Sequence, residues 1–332
     1  MKHSPVFSII VPAKNASHFI HEALDSVLDQ TFGDYEIIVV DDSSCDATVE
    51  IVSDYQNKFE AGQLKILFCP TDHIPGPGAV RNVGIRAATG EFLAFLDADD
   101  IWEPSHLENA YCSLNKHHKA VAYYTQAQTF DAVTKERISI IGWGPENSIT
   151  AVPFEASQLV IADDPVPHST GCVRRYVAEA VGGFEERLLT AQDWWFWICA
   201  AKQGQFVFNP KVEMFYRIDS NSHTGGGYGV NPMLSGPSFV DIAKHSNILT
   251  EDEYRHIRSL VTERTSRRVQ HFVRTLQWNV LKKLLRRMQS CPSSEKLIWI
   301  RVWATAAKGL GRRTLRSTAV RLNLLSPDRQ FE

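Results

Sequence analysis

Residues 36–44 read EIIVVDDSS, a short apolar run that ends in two aspartates and two serines. Similar runs occur at residues 7–15, FSIIVPAKN, and at residues 92–100, FLAFLDADD, with a further run at residues 64–68. Short apolar runs of this kind predict buried strands. Apolar residues at helical spacing predict helices between them, at residues 17–30, 46–58 and 79–88. Strands that alternate with helices predict a mostly parallel sheet with helices on both faces.

Polar residues follow three of the four predicted strands at the point where each strand ends. They are Pro12–Asn15, Asp41–Ser44 and Asp97–Asp100. Ligands of such sheets bind outside the carboxyl ends of the strands, so we expect these three segments to share one edge.

The carboxylates of Asp97, Asp99 and Asp100 form the strongest local signal. Carboxylates this close repel one another unless a divalent cation lies among them. Mg²⁺ and Mn²⁺ prefer oxygen ligands, and Mg²⁺ often shares substrate phosphates. The alternative interpretation is an acidic turn that caps the helix after Pro104.

Asp41 and Arg81 are the candidate nucleotide ligands. A carboxylate at a buried strand end can accept hydrogen bonds from a nucleobase N–H or a ribose hydroxyl. The alternative for this segment is helix capping, which Ser43, Ser44 or Asp46 could provide. Arg81 follows two glycines, which let the backbone approach a ligand, and its guanidinium can reach a base carbonyl or a diphosphate. The alternative is a surface arginine in the first turn of a helix.

Five ordered motifs resemble family-2 glycosyltransferases of the GT-A fold. They are SIIVPAKN (8–15), DSVLDQT (25–31), IIVVDDSS (37–44), GAVRNVGI (78–85) and ATGEFLAFLDADD (88–100). The resemblance is dense over residues 5–110 and sparser to about residue 218. It implies an inverting, metal-dependent transfer of a sugar from a nucleotide-diphospho-sugar, by default a UDP-sugar, to an acceptor hydroxyl. Polysaccharide or glycoconjugate biosynthesis is the expected setting.

The resemblance also implies donor-side roles. Pro12 and Asn15 would line the nucleotide pocket, Asp41 would bind the base, and Arg81 would bind the base or the diphosphate. Asp97 and Asp99 match the family's Asp-x-Asp motif. Asp99 would be the more direct ligand of Mg²⁺ or Mn²⁺, with Asp97 near the ribose and also a metal ligand.

Acceptor-side roles follow from the same resemblance. Asp193 matches the family's general base, although Gln192 stands where relatives commonly carry glutamate; the alternative is a helix N-cap. His168, Trp194 and Trp195 are the candidate acceptor residues, whereas Trp197 is expected in the core. Tyr216–Arg217 resembles a Tyr-Arg pair of the family, followed by Asp219 and then His223 where relatives often carry a nearer histidine.

The charge distribution divides the chain. Residues 251–332 hold 18 Lys and Arg against 7 Asp and Glu, although the whole chain has a net charge of −3. We therefore expect a GT-A domain over residues 1–240, with a nucleotide-binding half at 5–110 and an acceptor half at 111–240, and a basic helical extension at 241–332. The extension either packs on the catalytic domain or offers anionic lipid a basic surface around residues 282–287.

The composition of the chain disfavours several classes of protein. Near-neutral charge gives no sign of a nucleic-acid partner, and six widely spaced cysteines give no zinc or disulfide framework. With no apolar run of about 18 residues, no transmembrane helix is predicted, and we expect the cytoplasm or the inner face of the membrane. The expected partners are a nucleotide-sugar donor and a glycan or lipid-linked acceptor.

Two alternative functions remain open. A sugar-nucleotidyltransferase would need a glycine-rich loop, which Pro12–Asn15 lacks, and a catalytically silent carbohydrate-binding module would not need the full set of aspartates.

Overall fold

The computed structural model describes residues 4–70, 76–145, 150–219, 230–274, 286 and 293–308. The chain forms two compact units: residues 1–188 with 192–222, and residues 189–191 with 223–332. The helix that spans residue 240 lies within the second unit, so the two units divide before the domain boundary predicted from the sequence. The functional roles assigned to the two domains stay predictions.

The first unit contains the strands and most of the helices. Its strands are β1 (Phe7–Ala13), β2 (Tyr35–Asp41), β3 (Leu64–Phe68), β4 (Phe92–Phe95), β5 (Ile101–Trp102), β6 (Ala120–Asp131), β7 (Arg137–Ile141), β8 (Val152–Phe154), β9 (Cys172–Arg174) and β10 (Gln205–Ile218). Its helices are α1 (Ile20–Leu28), α2 (Thr48–Tyr55), α3 (Pro77–Ala87), α4 (His106–Lys116), α5 (Ser157–Ala162), α6 (Arg175–Ala180) and α7 (Gln192–Ala201).

Within the described residues these strands form one sheet in the order β3-β2-β1-β4-β9-β6-β10-β5, with β7 beside β6 and β8 beside β10. The pairs β2–β3, β1–β2, β1–β4 and β6–β10 are parallel, whereas β9 runs antiparallel to both β4 and β6. The register places Ala13 beside Asp41, so the ends of β1 and β2 meet at one edge. This confirms the predicted α/β sheet, to which β9 adds an antiparallel link.

The parallel half of the sheet is buried because its strands are apolar on both faces. All seven residues of β2 are buried. Helix α1 packs its apolar side inward, burying Ile20, Leu24 and Val27. Helix α3 lies close to β1, since a Cβ at Gly84 would come within 2.6 Å of Ile10. This packing sets the start of α3 at the same edge as the strand ends.

Two helices begin later than the sequence pattern predicted. The residues before α1 form a turn, in which the Ala16 N–H donates to Thr48 Oγ1 and the Ser17 N–H donates to Asp46. Asp46 also accepts the Thr48 N–H at the start of α2. The side chains of Thr48 and Asp46 thus accept backbone N–H groups at and before the starts of the two helices. The same bonds connect the loop after β1 to the loop after β2.

The described part of the second unit is helical, as α8 (Val230–His245), α9 (Glu251–Arg274) and α10 (Ser293–Lys308). Helix α9 begins with a capping box, in which Thr250 and Glu253 exchange backbone-to-side-chain hydrogen bonds. The three helices bury Phe239, Val261, Trp299 and Val302, among others.

The basic segment predicted around residues 282–287 falls outside the described residues, apart from the exposed Arg286. No helix in the described ranges is both long and apolar enough to cross a bilayer.

Candidate active site

Asp41 ends β2 and is only 3% exposed. Its Oδ2 accepts the Ser44 N–H at 3.0 Å, whereas its buried Oδ1 accepts no hydrogen bond from any described residue. A buried carboxylate oxygen without a partner costs free energy, which a ligand N–H or hydroxyl would recover. Asp41 is therefore prepared to accept a hydrogen bond from a ligand.

The loop after β1 forms a wall beside Asp41. Asn15 has a positive φ of 50°, and its Oδ1 accepts the Cys45 N–H at 2.8 Å. Its own N–H donates to Ser44 Oγ at 2.9 Å. Pro12 is partly exposed on β1 and pairs with Val40. These contacts hold the two loops together, so Pro12 and Asn15 lie beside the residues that surround Asp41.

Arg81 lies in α3 and is 3% exposed. One guanidinium nitrogen, Nη2, donates to Asp97 Oδ1 at 2.5 Å. The Nε and Nη1 atoms are buried and have no hydrogen-bond acceptor in the described ranges. Because a guanidinium carries five N–H donors, Arg81 keeps several for an anionic ligand after it binds Asp97.

The Asp-x-Asp segment follows β4. Asp97 is 29% exposed at its side chain, whereas Asp100 is fully buried and accepts the Ser169 hydroxyl at 2.6 Å and the Arg217 N–H at 3.2 Å. Burial, followed by the negative charge of Asp97, raises the pKa of Asp99 to about 6. Burial likewise raises the pKa of Asp100. Burial and, after it, the repulsion between neighbouring aspartates therefore disfavour the ionised forms of Asp99 and Asp100.

The acidic cluster fits a divalent cation only when other ligands are added. Among the residues that the structure describes, no group of three or more His, Cys, Asp and Glu side chains could hold a metal ion. Asp97 and Asp99 would supply carboxylate oxygens, and phosphate oxygens and water would complete the shell, as is usual for Mg²⁺. After burial, the negative charge of Asp97 is the next cause that raises the pKa of Asp99, and a cation between the two carboxylates would offset that charge.

Asp193 lies in the first turn of α7. Burial raises its pKa, the positive charge of Arg81 partly offsets this, and the negative charge of Asp97 adds to it. Asp193 therefore lies within electrostatic range of the Arg81–Asp97 pair. Its Oδ1 also accepts the Trp194 N–H at 2.9 Å, whereas an N-cap side chain precedes the helix and accepts an N–H two or three residues further on, so this bond does not support the capping alternative.

Gln192 is buried and packs close to Gly78 at the start of α3, where an added Cβ would lie 3.4 Å from its Cγ. A neutral amide at this place adds no further negative charge beside Asp193.

The predicted acceptor residues occupy different environments. His168 is buried against Phe95, with ring centroids 4.9 Å apart, and burial lowers its pKa well below the usual range. Trp194 donates from Nε1 to the Val160 carbonyl at 2.6 Å. Trp195 lines an open cleft of about 460 Å³ with Asn82 and residues 181–187. Their roles in acceptor binding stay predictions, and Trp195 is the one beside a cleft.

Trp197 is fully buried, in agreement with the expected core position, and a Cβ at Gly171 would meet its ring at 2.2 Å.

Comparison with known proteins decides the family. Residues 8–179 match the family model described as Glycosyl transferase family 2, which is more than half of the chain. The chain belongs to this family.

Among curated relatives, the poly(ribitol-phosphate) beta-N-acetylglucosaminyltransferase TarS of Staphylococcus aureus is 40% identical over 117 residues, which are 35% of this chain and 20% of TarS. The UDP-Glc:alpha-D-GlcNAc-diphosphoundecaprenol beta-1,3-glucosyltransferase WfgD of Escherichia coli is 35% identical over 116 residues, which are 35% of this chain and 44% of WfgD. The matched segment thus spans a fifth to under a half of these relatives.

Solved structures share the fold. TarS 1-349 of S. aureus in complex with UDP-GlcNAc has a TM-score of 0.58 at 22% identity, covering 96% of this chain and 86% of that one. The mannosyltransferase PcManGT from Pyrobaculum calidifontis, in complex with GDP-Man and Mn2+, has a TM-score of 0.56 at 17% identity, covering 97% and 86%. At these identities the likeness is one of fold.

The contacts of Ser169 and Arg217 with the Asp-x-Asp segment were not predicted from sequence. Ser169 accepts the Asp97 N–H at 3.1 Å while its hydroxyl donates to Asp100. Arg217 is fully buried at its side chain and donates from Nε to the Asp99 carbonyl at 2.7 Å. The sequence signal for Arg217 was its Tyr-Arg pair, but its contact with the acidic segment was not foreseen; His223 lies outside the described residues.

Arg217 is held in place by aromatic rings and a carboxylate. Its guanidinium lies over Phe19 at 4.4 Å and Phe130 at 4.8 Å, and Nη2 is 3.1 Å from Glu22. It therefore ties the acidic segment to β10 and α1.

Proposed function

We propose that this chain is an inverting, metal-dependent glycosyltransferase that moves a sugar from a nucleotide-diphospho-sugar to an acceptor hydroxyl. The observation that carries the proposal is the Arg81–Asp97 ion pair, with Asp193 under the charge of both residues. These three groups come from α3, the end of β4 and α7, and together they offer an anion ligand, a carboxylate and a base.

The donor would bind along the edge formed by β1, β2 and α3. Asp41 would accept a hydrogen bond from the base through its unpartnered Oδ1, beside the wall of Pro12 and Asn15. The spare donors of Arg81 would bind the diphosphate. A uridine donor is supported by the complexes of the TarS structures with UDP and UDP-GlcNAc.

Asp97 and Asp99 would hold Mg²⁺ or Mn²⁺ together with diphosphate oxygens. A bound cation would neutralise the charge that develops on the leaving nucleoside diphosphate. Arg81 would share this task, because its guanidinium already lies against Asp97.

Asp193 would act as the general base. The acceptor oxygen forms a bond to the anomeric carbon as the bond from that carbon to the diphosphate oxygen breaks. The hydroxyl proton passes to the Asp193 carboxylate, and the nucleoside diphosphate leaves with the bonding electron pair. Attack opposite the leaving group inverts the anomeric centre, so an α-linked donor gives a β-linked product. The burial that raises the pKa of Asp193 makes it a better proton acceptor than an exposed aspartate.

The acceptor would be a glycan or a lipid-linked sugar that carries phosphate. Both named relatives act on such acceptors, one a poly(ribitol-phosphate) and the other a diphosphoundecaprenol-linked sugar. The cleft beside Trp195 is the proposed acceptor entrance, and His168 and Trp194 are further proposed acceptor residues. Polysaccharide or glycoconjugate biosynthesis in the cytoplasm or at the inner face of the membrane fits these acceptors.

The test combines a donor screen with a variant of the base. Nucleotide sugars are incubated with Mn²⁺ to find the one that is hydrolysed, and an acceptor panel then identifies transfer. Asp193→Asn should lower kcat by about 10²–10⁴ while leaving the dissociation constant of the donor nearly unchanged. Asp54→Asn, at an exposed aspartate of α2, is the control and should keep full turnover.

Unchanged turnover in Asp193→Asn would remove that residue from the reaction. Pyrophosphate release from a nucleoside triphosphate would instead indicate a nucleotidyltransferase. Donor binding without turnover of any nucleotide sugar would indicate a silent module.

A further inference from the structure

Helix α3 carries a second buried polar residue, directly after Arg81, to which the proposed reaction assigns no role. This residue is Asn82, which is 7% exposed. Successive residues of an α-helix point about 100° apart. Arg81 accordingly faces Asp97, whereas Asn82 faces residues 181–187, which we call the cleft loop. Two neighbouring residues of α3 therefore contact the Asp-x-Asp segment and the cleft loop.

The amide of Asn82 is bound on both sides by the cleft loop. Its Oδ1 accepts the Phe184 N–H at 2.8 Å, and its Nδ2 donates to the Phe184 carbonyl at 2.9 Å. Nδ2 also donates to Glu186 Oε1 at 2.9 Å. A primary amide has an acceptor oxygen and two N–H donors, so it can pair with both backbone groups of one residue. A carboxylate could only accept, and an alkyl side chain could do neither.

The backbone of the cleft loop fits closely against this amide. Gly182 and Gly183 have positive φ values of 81° and 75°, a conformation that glycine adopts without strain. A Cβ at Gly183 would meet Asn82 Oδ1 at 2.3 Å, so the loop backbone lies directly against the side chain. Within the loop, the Arg187 guanidinium donates two hydrogen bonds to the Glu185 carboxylate. The loop is thus braced internally and fixed to α3 through Asn82.

Phe184 connects the cleft loop to other parts of the candidate active site. Its ring stacks on Phe196 of α7 with centroids 4.4 Å apart, and it meets Phe95 of β4 edge-on at 5.3 Å. The Arg81 guanidinium lies over the same ring at 5.5 Å. Helix α7 also carries Asp193, the proposed base. Phe184 therefore keeps the cleft loop packed against both α3 and α7.

The cleft beside Trp195 is shaped by the same contacts. Asn82, the cleft loop and Trp195 line this cleft of about 460 Å³. Asn82 is buried, so it acts on the cleft through the two residues that it binds, Phe184 and Glu186. A carboxylate fixed at the wall of the cleft can accept hydrogen bonds from hydroxyl groups, which are the polar groups of a sugar.

We propose that Asn82 is a positioning residue for the acceptor. Its amide holds Phe184 and Glu186 so that the cleft loop forms the wall against which an acceptor sugar binds. The inference rests on the proposed function, because that function makes the cleft the acceptor entrance. It gives the helix that carries the donor ligand Arg81 a second task, which concerns the acceptor alone.

Amide hydrogen exchange tests the positioning directly. The Phe184 N–H donates to Asn82, so Asn82→Ala should speed deuterium uptake about tenfold in a peptide that covers residues 181–187. Uptake in peptides from β2 should stay as in the unaltered chain, which separates a local change from general destabilisation. Asn57→Ala, at an exposed asparagine after α2, is the matched control and should change neither.

Steady-state kinetics tests the link to the acceptor. With 4-nitrophenyl glycosides of glucose and N-acetylglucosamine as acceptor probes, Asn82→Ala should raise the acceptor KM about tenfold to a hundredfold. Hydrolysis of the nucleotide sugar without an acceptor should change little, because Arg81 keeps its bond to Asp97. A role in folding alone would lower transfer and hydrolysis by the same factor, through the fraction of folded protein.

A pair of variants tests the contact with Glu186 and replaces Asn82→Ala if that variant does not fold. Asn82→Asp places a second carboxylate beside Glu186, and the like charges repel each other. Asn82→Asp/Glu186→Gln returns an amide to this contact. The double variant should therefore have a lower acceptor KM than Asn82→Asp, and equal values would contradict the proposal.

Two results would overturn the positioning role. One is unchanged deuterium uptake at residues 181–187 in Asn82→Ala, and the other is a loss of transfer no larger than the loss of hydrolysis. Absence of hydrolysis with every nucleotide sugar would instead overturn the proposed function. Deuterium uptake at Phe184 would still decide whether Asn82 holds the cleft loop.

Discussion

Lowering the pH should weaken Mn²⁺ binding at the Asp-x-Asp segment. Burial and the charge of Asp97 raise the pKa of Asp99 to about 6. A protonated carboxyl is a poor metal ligand, so protons and the metal compete for Asp99. An exposed aspartate with the ordinary value of 3.8 would show no such competition near neutral pH.

The size of the effect follows from the ionised fraction. With a pKa of about 6, roughly nine-tenths of Asp99 is ionised at pH 7 and roughly one-tenth at pH 5. The apparent affinity for Mn²⁺ should therefore fall about tenfold between these pH values. At the ordinary value, more than about nine-tenths would stay ionised at both, and the affinity would change little.

The measurement uses protein without nucleotide, because the phosphates of a nucleotide titrate in the same range. Water then takes the coordination places that phosphate oxygens would otherwise fill. The electron paramagnetic resonance signal of free Mn²⁺ gives the bound fraction at each pH. Asp99→Asn should bind weakly and show no pH dependence, and Asp54→Asn should behave as the unaltered chain. The reasoning fails if the unaltered chain binds Mn²⁺ equally at pH 5 and pH 7, or if Asp99→Asn keeps the same pH dependence.

Three further substitutions test the site and its supports. Arg81→Met should raise the dissociation constant of the nucleotide sugar about tenfold to a hundredfold, measured by calorimetry, because charge-assisted hydrogen bonds are lost; an unchanged constant would exclude Arg81 from donor binding. Gly183→Ala should lower the free energy of unfolding by about 1–3 kcal/mol in urea, since φ is +75° and the new Cβ would meet Asn82 Oδ1 at 2.3 Å. Gly33→Ala, with nothing within 4 Å, is its control and should be far milder. Arg217→Met removes a cation that lowers the pKa of Asp99. The pH midpoint of Mn²⁺ binding should therefore move to higher pH. An unchanged midpoint would show that the charge of Arg217 does not affect the ionisation of Asp99.

Much of the parallel half of the sheet could be predicted because its signals are local. A short apolar run such as Ile37–Val40 is typical of a buried strand. The polar residues that follow such a strand then mark the edge of the sheet where ligands bind. At this edge, the structure places Asp41 beside the loop that contains Asn15, and it places Arg81 beside Asp97.

The second half of the sheet was less predictable because long-range contacts set its structure. Strand β9 is three residues long and lies between β4 and β6. Glu213 is buried in β10, where it accepts hydrogen bonds from Tyr123, Asn109 and Asn209 at 2.8 Å. The sequence shows a charged residue in a strand, but its partners, which include His106, lie up to 107 residues away. Such a network forms only when α4, β6 and β10 meet.

The amino-acid sequence alone determined the family, the alternating strands and helices, and the acidic segments at strand ends, because each depends on residues close together in the chain. Only the tertiary structure decided that Arg217 would support Asp99, and that Asp41 would keep one oxygen without a partner among the described residues. Burial and pairing of charges depend on which distant segments come together in space, and a local sequence pattern carries no record of that.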